Sequence, residues 1–300
     1  MQISKILDEM NISYKVVMEA EVDSLGLAGY NAGDRVCTFI ENDKYLKDMS
    51  ECIKLILTNR ETAEAVSNLN NKIGIIIVDN PRIVFFKLHN YLSEKKEYCA
   101  EKYKTIIGEN CNVDKTAIIA NNNVTIGNNV VIEEFVVIRE NTVIEDNSII
   151  RAGCKIGGEG FEFKREADSI FGVKHVGSVH IGKSVEVQYN SCIDKAIYPW
   201  DVTKIDDFSK IDNAVHIAHA VKIGKCVMVV ANTGIGGRVI IGDNAWIGFG
   251  STIRNGLTIG NNARVNMGAV VTKSVMDNEA VSGNFAIEHS KFIENLKKER

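Results

Sequence analysis

The stretch Ile205-Asp-Asp-Phe-Ser-Lys-Ile211-Asp-Asn-Ala-Val-His-Ile217-Ala-His-Ala-Val-Lys-Ile223 repeats an aliphatic residue at every sixth position. The spacing continues to Val271, so that twelve consecutive six-residue units open with Ile or Val. The fifth position is usually small or β-branched, as at Val215, Val221 and Ser251. Ile and Val favour strands, and a unit this short is stable only when it stacks on its neighbours. The spacing therefore predicts a parallel β-helix whose first and fifth positions face inward.

Similar units run from Ile107 to Ile156, with a slip of one residue after Ile119, and resume at Ile181. Residues 157–180 lose the period and open with Gly157-Gly-Glu-Gly-Phe, which predicts a loop extruded from the β-helix. Further on, Pro199-Trp200 replaces one unit without changing the phase. Trp200 could cap a corner of the β-helix or face a ligand.

Residues 1–103 show no six-residue period. Short apolar runs at Tyr14-Lys-Val-Val-Met, Lys54-Leu-Ile-Leu-Thr and Ile73-Gly-Ile-Ile-Ile-Val predict strands, and Asn80-Pro81 predicts the start of a helix. The sequence thus predicts an α+β protein with three parts. These are a small α/β domain over residues 1–103, a β-helix over residues 104–283 and a short C-terminal helix within residues 284–300.

Composition limits the class of function. Hydrophobic residues make up 45% of the chain, charged residues 25%, and the net charge of -4 argues against a nucleic-acid binder. No apolar run is long enough to span a membrane, and Met1-Gln-Ile-Ser-Lys lacks a signal-peptide core. The seven cysteines form no CxxC or Cys/His cluster, and Cys111 and Cys154 occupy inward positions. We expect a cytoplasmic protein with reduced cysteines, no transmembrane segment and no metal site.

His216 and His219 are the two histidines of the main repeat, and both fall outside the inward positions. An imidazole on the outside of a rigid β-helix is suited to act as a general base near neutral pH. Gly237 lies eighteen residues after His219, which is one full coil of three units. A glycine there would let a thioester carbonyl approach and offer its N–H to an oxyanion. Taken alone, Gly237 could equally be a turn glycine.

Four stretches carry a resemblance to a known family: Ile211-Asp-Asn with Ile217-Ala-His219, Thr38-Phe-Ile-Glu-Asn-Asp-Lys-Tyr45, Ile156-Gly-Gly-Glu-Gly-Phe161, and Val185-Glu-Val with Ile193-Asp-Lys. Together they resemble the UDP-3-O-acylglucosamine N-acyltransferases of lipid A biosynthesis, which are hexapeptide-repeat acyltransferases. The order of domains is similar over nearly the whole chain. The resemblance implies a left-handed β-helix and a homotrimer.

The resemblance also implies the roles of eight residues. His219 would take a proton from the attacking sugar amine, and Gly237 would stabilise the oxyanion. The acyl donor would be a phosphopantetheine thioester on acyl carrier protein or coenzyme A, with no bound cofactor. The remaining six residues would bind the nucleotide sugar: Phe39, Asn42 and Tyr45 at the uracil, and Asp212, Asn213 and His216 at the sugar or phosphate. On their own residue types, Phe39 and Tyr45 could equally belong to a core.

Several positions depart from the family pattern. Ala220 stands where the residue after the catalytic histidine is Asn or Asp, and Gly256 stands where the family has a second histidine. His216-Ile-Ala-His219 is closer to the related O-acyltransferase of UDP-N-acetylglucosamine, and the later stretch from Trp246 resembles coenzyme A-using sugar acetyltransferases. Three alternatives stay open. The first is an N-acyltransferase of surface-polysaccharide synthesis that uses a short-chain acyl-CoA. The others are a zinc hydratase like the γ-type carbonic anhydrases, with His216 and His219 as ligands, and a non-catalytic protein that binds a nucleotide sugar.

Overall fold

The computed structural model describes residues 1–29, 33, 35–47, 49–69, 72–283 and 285–298. The chain divides into two compact units. The first consists of Met1–Tyr103, Glu159–Ser178 and Lys195–Val202, and the second of Lys104–Gly158, Val179–Asp194 and Thr203–Arg300. Two segments from within the repeat region therefore fold with the N-terminal residues.

The first unit is built on a five-stranded sheet with the strand order β1-β5-β4-β3-β2. Its strands are β1 (Lys15–Met18), β2 (Ser24–Leu25), β3 (Val36–Ile40), β4 (Ile53–Thr58) and β5 (Gly74–Ile77). β2 to β5 run parallel, and β1 is antiparallel to β5. The strands predicted near residues 14, 54 and 73 are confirmed as β1, β4 and β5. Leu55, Leu57 and Ile76 are buried, as central strands require.

Three α-helices accompany this sheet: α1 (Ile3–Glu9), α2 (Arg60–Leu69) and α3 (Pro81–Leu92), with a 3₁₀ helix over Asp43–Leu46. The predicted start of α3 is confirmed. The Asn80 side chain accepts a hydrogen bond from the N–H of Ile83 at 3.2 Å, and Pro81 occupies the first helical turn, where a missing N–H costs nothing. The apolar face of α3 buries Phe85 and Leu88 completely.

The two segments inserted from the repeat region complete the core of the first unit. Residues 159–178 carry a hairpin of Phe163–Glu166 with Ser169–Gly172. In the segment 195–202, Ile197 and Tyr198 are buried with the helices of this unit. The sequence prediction assigns residues 195–202 to the β-helix, but the structure assigns them to the first unit. The reason is that these large apolar side chains find their burial there.

Trp200 belongs to the same core. Its ring stacks on Tyr198 with centroids 5.5 Å apart, and its indole N–H donates to the carbonyl of Leu25 at 2.8 Å. These contacts satisfy both the apolar ring and its polar edge. Trp200 is therefore a structural residue of the first unit.

The second unit is a parallel β-helix with three sheets. Sheet 1 contains Ile106–Ile107, Val124–Ile126, Thr142–Ile144, Ser178–Ile181, Val202–Ile205, Lys222–Ile223, Ile240–Ile241 and Thr258–Ile259. Sheet 2 contains Asn112–Val113, Val131–Ile132, Ile149–Ile150, Glu186–Val187, Lys210–Ile211, Met228–Val229, Trp246–Ile247, Arg264–Val265 and Ala280–Val281. Sheet 3 contains Ile118–Ile119, Val137–Ile138, Lys155–Gly158, Cys192–Asp194, His216–Ile217, Gly234–Ile235, Thr252–Ile253 and Val270–Val271.

The inward positions of the repeat form one continuous core. Ile211, Val215 and Ile217 are buried, and so are their equivalents from Val124 to Val275, which confirms the predicted register there. In the first coil, Ile107 is 46% exposed. Most of the corners hold a residue in the left-handed region, frequently Asn, whose short polar side chain tolerates that backbone conformation. Cys154 is buried in the core as predicted, and burial raises the pKa of its thiol to about 11.

Beyond the last coil, α4 spans His289–Lys298, within the predicted C-terminal segment. The apolar residues Phe292 and Ile293 are at least a third exposed there. Residues 284, 299 and 300 of that segment lie outside the described residues. In the part of the chain that the structure describes, no helix has the length and hydropathy needed to cross a membrane.

Candidate active site

His219 and Gly237 lie against each other on consecutive coils. A Cβ added to Gly237 would stand 2.6 Å from Nε2 and 2.7 Å from Cε1 of the His219 ring. Real Cβ atoms do not approach other atoms so closely, so the imidazole occupies space that only a glycine leaves open. The juxtaposition predicted from the eighteen-residue spacing is therefore present, and the ring nitrogen faces the backbone of Gly237.

The backbone around Gly237 supplies a hydrogen-bond donor beside this imidazole. The N–H groups on either side are used in the ladder between coils: Gly236 donates to Ile253 at 2.9 Å, and Arg238 donates to the carbonyl of His219 at 3.0 Å. Among the residues that the structure describes, no protein acceptor takes the N–H of Gly237. A fixed amide next to an imidazole is the pairing that acyl transfer needs, a proton acceptor beside an oxyanion donor.

His216 stands on the same coil, on the outer side of sheet 3, and its side chain is 54% exposed. Its Nε2 lies 3.7 Å from Oδ2 of Asp194, whose side chain is only 12% exposed. Burial raises the pKa of the Asp194 carboxyl, and the nearby imidazoles of His216 and His219 act in the opposite direction. Asp194 therefore lies within the electrostatic reach of both histidines.

Asp212 and Asn213 hold the preceding corner of the coil together. Asp212 accepts hydrogen bonds from the N–H of Asn213 at 2.7 Å and of Ala231 at 3.0 Å. The Asn213 side chain accepts from the N–H of Tyr189 at 3.2 Å. Side-chain acceptors of this kind satisfy backbone donors at a turn. Their predicted role as sugar or phosphate contacts stays a prediction, and these oxygens already have backbone partners.

The two departures near the histidines are corner positions. Ala220 is buried, with a φ of 59°, and its N–H donates to the hydroxyl of Thr203 at 2.8 Å. Gly256 has a φ of 72° and would have open space around a Cβ. Neither residue brings a polar side chain to His219. The coil of His219 therefore carries no carboxylate directly after the histidine.

The three residues predicted to bind uracil lie in the first unit. Phe39 is half-buried on β3, with its ring 5.0 Å from that of Phe85. Asn42 caps the 3₁₀ helix by accepting from the N–H of Lys44 at 3.1 Å. Tyr45 is 54% exposed, and the ammonium group of Lys44 lies 4.8 Å from the centre of its ring. Phe39 thus packs in an aromatic cluster, whereas Tyr45 presents its ring to solvent.

Asp194 has no role predicted from the sequence, although it lies in the stretch Ile193-Asp-Lys that carries the family resemblance. Counting by eighteen does not connect Asp194 with the histidines. Cys192 pairs with His216, so the coil between them spans 24 residues. The next coil, from His216 to its partner Gly234, spans eighteen. The longer coil is the one that contains residues 195–202. Within the described residues, no group of three or more His, Cys, Asp or Glu side chains is arranged to hold a metal ion.

The repeats match the protein-family model described as bacterial transferase hexapeptide (six repeats). The match covers residues 123–158 and 238–273 with six repeats each, and both His219 and Gly237 lie outside it. The match therefore concerns the scaffold and not the candidate site.

Solved structures of two acyltransferases are similar to this chain. UDP-N-acetylglucosamine acyltransferase from Francisella novicida matches with a TM-score of 0.50 and 22% identity, over 64% of this chain and 71% of that one. The Arabidopsis UDP-N-acetylglucosamine acyltransferase matches with a TM-score of 0.49 and 24% identity, over 65% and 73%. No curated protein matches the sequence. The hexapeptide match and the Francisella structure confirm the predicted left-handed parallel β-helix.

Proposed function

We propose that the protein is an acyltransferase that moves an acyl group from a phosphopantetheine thioester to the amine of a nucleotide-linked amino sugar. The observation that carries this proposal is the His219 imidazole seated against the backbone of Gly237. The Francisella structure, a UDP-N-acetylglucosamine acyltransferase, supports the substrate class. Among enzymes of this kind, the sequence most resembles the UDP-3-O-acylglucosamine N-acyltransferases of lipid A biosynthesis.

The reaction needs one base and one oxyanion donor. His219 accepts a proton from the sugar amine as the amine nitrogen bonds to the thioester carbon. The carbonyl oxygen becomes an oxyanion, which the N–H of Gly237 stabilises. The C–S bond then breaks, and the sulfur leaves as a thiol with the proton that His219 returns. The products are an amide and free phosphopantetheine, and no cofactor is consumed.

The nucleotide part of the substrate is assigned to the first unit. The exposed ring of Tyr45 can stack on a pyrimidine, and the adjacent Lys44 supplies a positive charge suited to phosphate. Asn42 can read the polar edge of the base. Phe39 contributes through the aromatic cluster that supports this segment. Isothermal titration with UDP and with dTDP tests the assignment, and no binding of either would remove it.

The catalytic assignment is tested by His219→Gln in an assay of thiol release from acyl carrier protein and acyl-CoA thioesters. We expect turnover to fall by about 10²–10⁴-fold while UDP binding is unchanged, because a glutamine cannot take the proton. His180→Gln is the matched control, since His180 lies on the same β-helix and pairs with Glu145 at 2.6 Å. It should keep full turnover. Full turnover in His219→Gln would show that another group is the base.

Transfer to a sugar hydroxyl is the second candidate. The stretch His216-Ile-Ala-His219 resembles the O-acyltransferases, and the Francisella structure is a UDP-N-acetylglucosamine acyltransferase. The same base and oxyanion donor would serve a hydroxyl nucleophile. Mass spectrometry of the product after hydroxylamine treatment separates the two, because an ester is cleaved and an amide persists. Running the assay with both donors also distinguishes a long acyl chain on the carrier protein from a short acyl-CoA.

A further inference from the structure

We propose that one face of the hairpin in the first unit docks the protein on a phospholipid surface. The hairpin pairs Phe163–Glu166 with Ser169–Gly172, and Phe161 lies just before its first strand. Phe161, Phe163 and Ile170 form the face, and we call these three side chains the hairpin face. The inference goes beyond the proposed function and does not depend on it.

The strand register brings the hairpin face together. Arg165 lies opposite Ile170, and Phe163 lies opposite Gly172. Since successive residues of a strand point to opposite sides, Phe163, Arg165 and Ile170 share one side, with Ile170 diagonal to Phe163. A Cβ on Gly172 would stand 3.3 Å from Cε1 of Phe163, so this ring lies against the opposite strand. The Phe161 ring lies beside it, with the two centroids 4.9 Å apart.

The other side of the hairpin is fixed to helix α3. Lys164 pairs with Glu162, and its ammonium group lies 4.0 Å from the centre of the Phe86 ring. Lys87 bonds to the carboxylate of Glu166 at 2.6 Å. Phe86 and Lys87 both belong to α3, so these contacts hold that side of the hairpin against the helix. The hairpin face is therefore left on the side away from α3.

The hairpin face is open to solvent. Phe161 is 91% exposed, Ile170 61% and Phe163 49%. A single exposed apolar residue is ordinary, but three that share one side of a small sheet mark a surface of association. Covering them removes apolar area from water, which is favourable.

The size of the hairpin face favours a lipid surface over a second copy of the chain. Aromatic side chains bury roughly 150–250 Å² each, so at their exposures the two phenylalanines offer roughly 300 Å² together. A stable contact between proteins covers about 800 Å² on each partner. Binding to a lipid interface instead grows with each apolar side chain that enters it, because the lipids adapt to the shape of that side chain. A few large side chains therefore suit lipid better than protein.

The charges around the hairpin face fit the headgroup layer of a zwitterionic membrane. Arg165 shares its side, and the stem of this arginine can lie along the apolar groups while the guanidinium reaches a lipid phosphate. Glu162 and Glu166 are held by lysines on the other side. The exposed acids Glu159 and Asp168 outnumber Arg165, so an anionic membrane offers no net attraction. The apolar side chains therefore provide the binding.

Flotation of the full chain with phosphatidylcholine vesicles tests the proposal. We expect the wild type to float with the vesicles, and Phe161→Ser to lower the partition coefficient by about tenfold, because the most exposed ring is lost. The Tm should stay unchanged, since Phe161 is almost fully exposed. Phe135→Ser is the matched control, at a phenylalanine 65% exposed on the β-helix, and it should bind as the wild type does. A wild type that does not float, or a Phe161→Ser variant that floats equally well, would overturn the proposal.

The dependence on charge separates apolar docking from electrostatic attachment. Raising NaCl from about 0.1 M to about 0.5 M should change the partition coefficient by less than about twofold, because salt screens charges and not apolar contacts. Arg165→Ala should lower it by about two- to threefold, and Arg165→Lys should keep most of it, because a lysine still binds phosphate. Binding that requires phosphatidylglycerol and disappears at the higher salt would show a different mode of attachment and refute the role of the hairpin face.

A fluorescent reporter identifies the residue that enters the lipid. Phe161→Trp keeps an aromatic ring at this position. With brominated phosphatidylcholine, its fluorescence should be quenched more than that of the wild type, which contains only Trp200 and Trp246. Equal quenching would contradict insertion of the hairpin face. A lower sedimenting mass for Phe161→Ser than for the wild type would assign the hairpin face to a contact between copies, and would also overturn the proposal.

Discussion

At the scale of single residues, the site depends on one missing side chain. The His219 ring fills the place where any other residue than glycine would carry its Cβ at position 237. In Gly237→Ala the methyl group would displace the far end of the imidazole, which can rotate, so the backbone would keep its path. We therefore expect kcat to fall by about 10²-fold or more, while the Tm shifts by only a few degrees.

The control for Gly237→Ala is Gly234→Ala on the same coil. A Cβ at Gly234 meets nothing within 4 Å, so this variant should keep the wild-type Tm and report the cost of the substitution itself. Thermal unfolding of both variants, followed by steady-state thiol release, gives the comparison. An active Gly237→Ala enzyme would mean that the imidazole does not need its present position.

A second residue-scale prediction concerns His89 in the first unit. His89 is buried, its Nε2 lies 2.8 Å from the carbonyl of Lys174, and its Nδ1 lies 3.0 Å from the hydroxyl of Tyr98. Because a carbonyl only accepts, Nε2 carries the proton and Nδ1 accepts from the tyrosine. Burial lowers the pKa of His89 to about 4, and the bond to Lys174 opposes part of that shift.

This lowered pKa makes the first unit sensitive to acid. Above pH 6.5 the histidine is neutral in both folded and unfolded chains, and it adds no pH dependence. As the pH falls from 6.5 to 4, the unfolded chain binds the proton first, so the free energy of unfolding decreases by about 3 kcal/mol. Urea unfolding at pH 7 and pH 4.5 should show this decrease in the wild type. His89→Gln should be less stable at pH 7, but its free energy of unfolding should decrease less between pH 7 and pH 4.5. A decrease equal to that of the wild type would show that His89 does not cause the acid sensitivity.

At the scale of elements, the repeat and the places where it is interrupted were predictable, but not that the interrupting segments fold with the first unit. Inward positions such as Ile211 and Val215 follow from a period of six, because every coil repeats the same geometry. The strand β3 was not predicted. Its residues Val36-Cys-Thr-Phe-Ile overlap the segment that was interpreted as a uracil-binding site around Phe39. Its five residues are nearly all buried between β2 and β4, which only the tertiary structure reveals.

The site shows the same division. The pairing of His219 with Gly237 follows from one coil of eighteen residues, a purely local count. The nearness of Asp194 and His216 does not, because their coil contains the inserted segment 195–202. Charges and burial that depend on such an insertion cannot be read from the period. The sequence therefore predicted the contact between His219 and Gly237 but not the buried carboxylate near His216.

The inserted segment 195–202 should matter for the stability of the first unit. Tyr198 is 1% exposed, its ring lies 6.3 Å from Phe85 and 5.2 Å from His89, and Trp200 stacks on it. We expect Tyr198→Ala to lower the free energy of unfolding by about 3–5 kcal/mol, because it leaves a large cavity in a closed aromatic cluster. Tyr189→Ala, at a tyrosine 43% exposed on the β-helix, should change it by less than about 1 kcal/mol. Equal effects in urea unfolding would refute the structural role of the segment.

At the scale of the whole molecule, the β-helix carries apolar side chains on its outside. Phe249 and Met267 occupy the same corner on consecutive coils and are 49% and 65% exposed, and Val270 nearby is 59% exposed. Exposed apolar groups that lie together mark surfaces of association. The resemblance to the N-acyltransferases implies three copies, and this corner is where we propose that copies meet.

The chain has a mass of 33.1 kDa, so sedimentation equilibrium should give a particle of about three times that mass. The double variant Phe249→Glu with Met267→Glu should shift the distribution toward the single chain, because charge at a buried apolar contact is strongly unfavourable. Phe161→Glu is the matched control, since Phe161 is 91% exposed in the first unit, and it should leave the mass unchanged. A wild type that sediments as one chain would contradict the trimer. A double variant that stays trimeric would show that the copies meet at a different face of the β-helix.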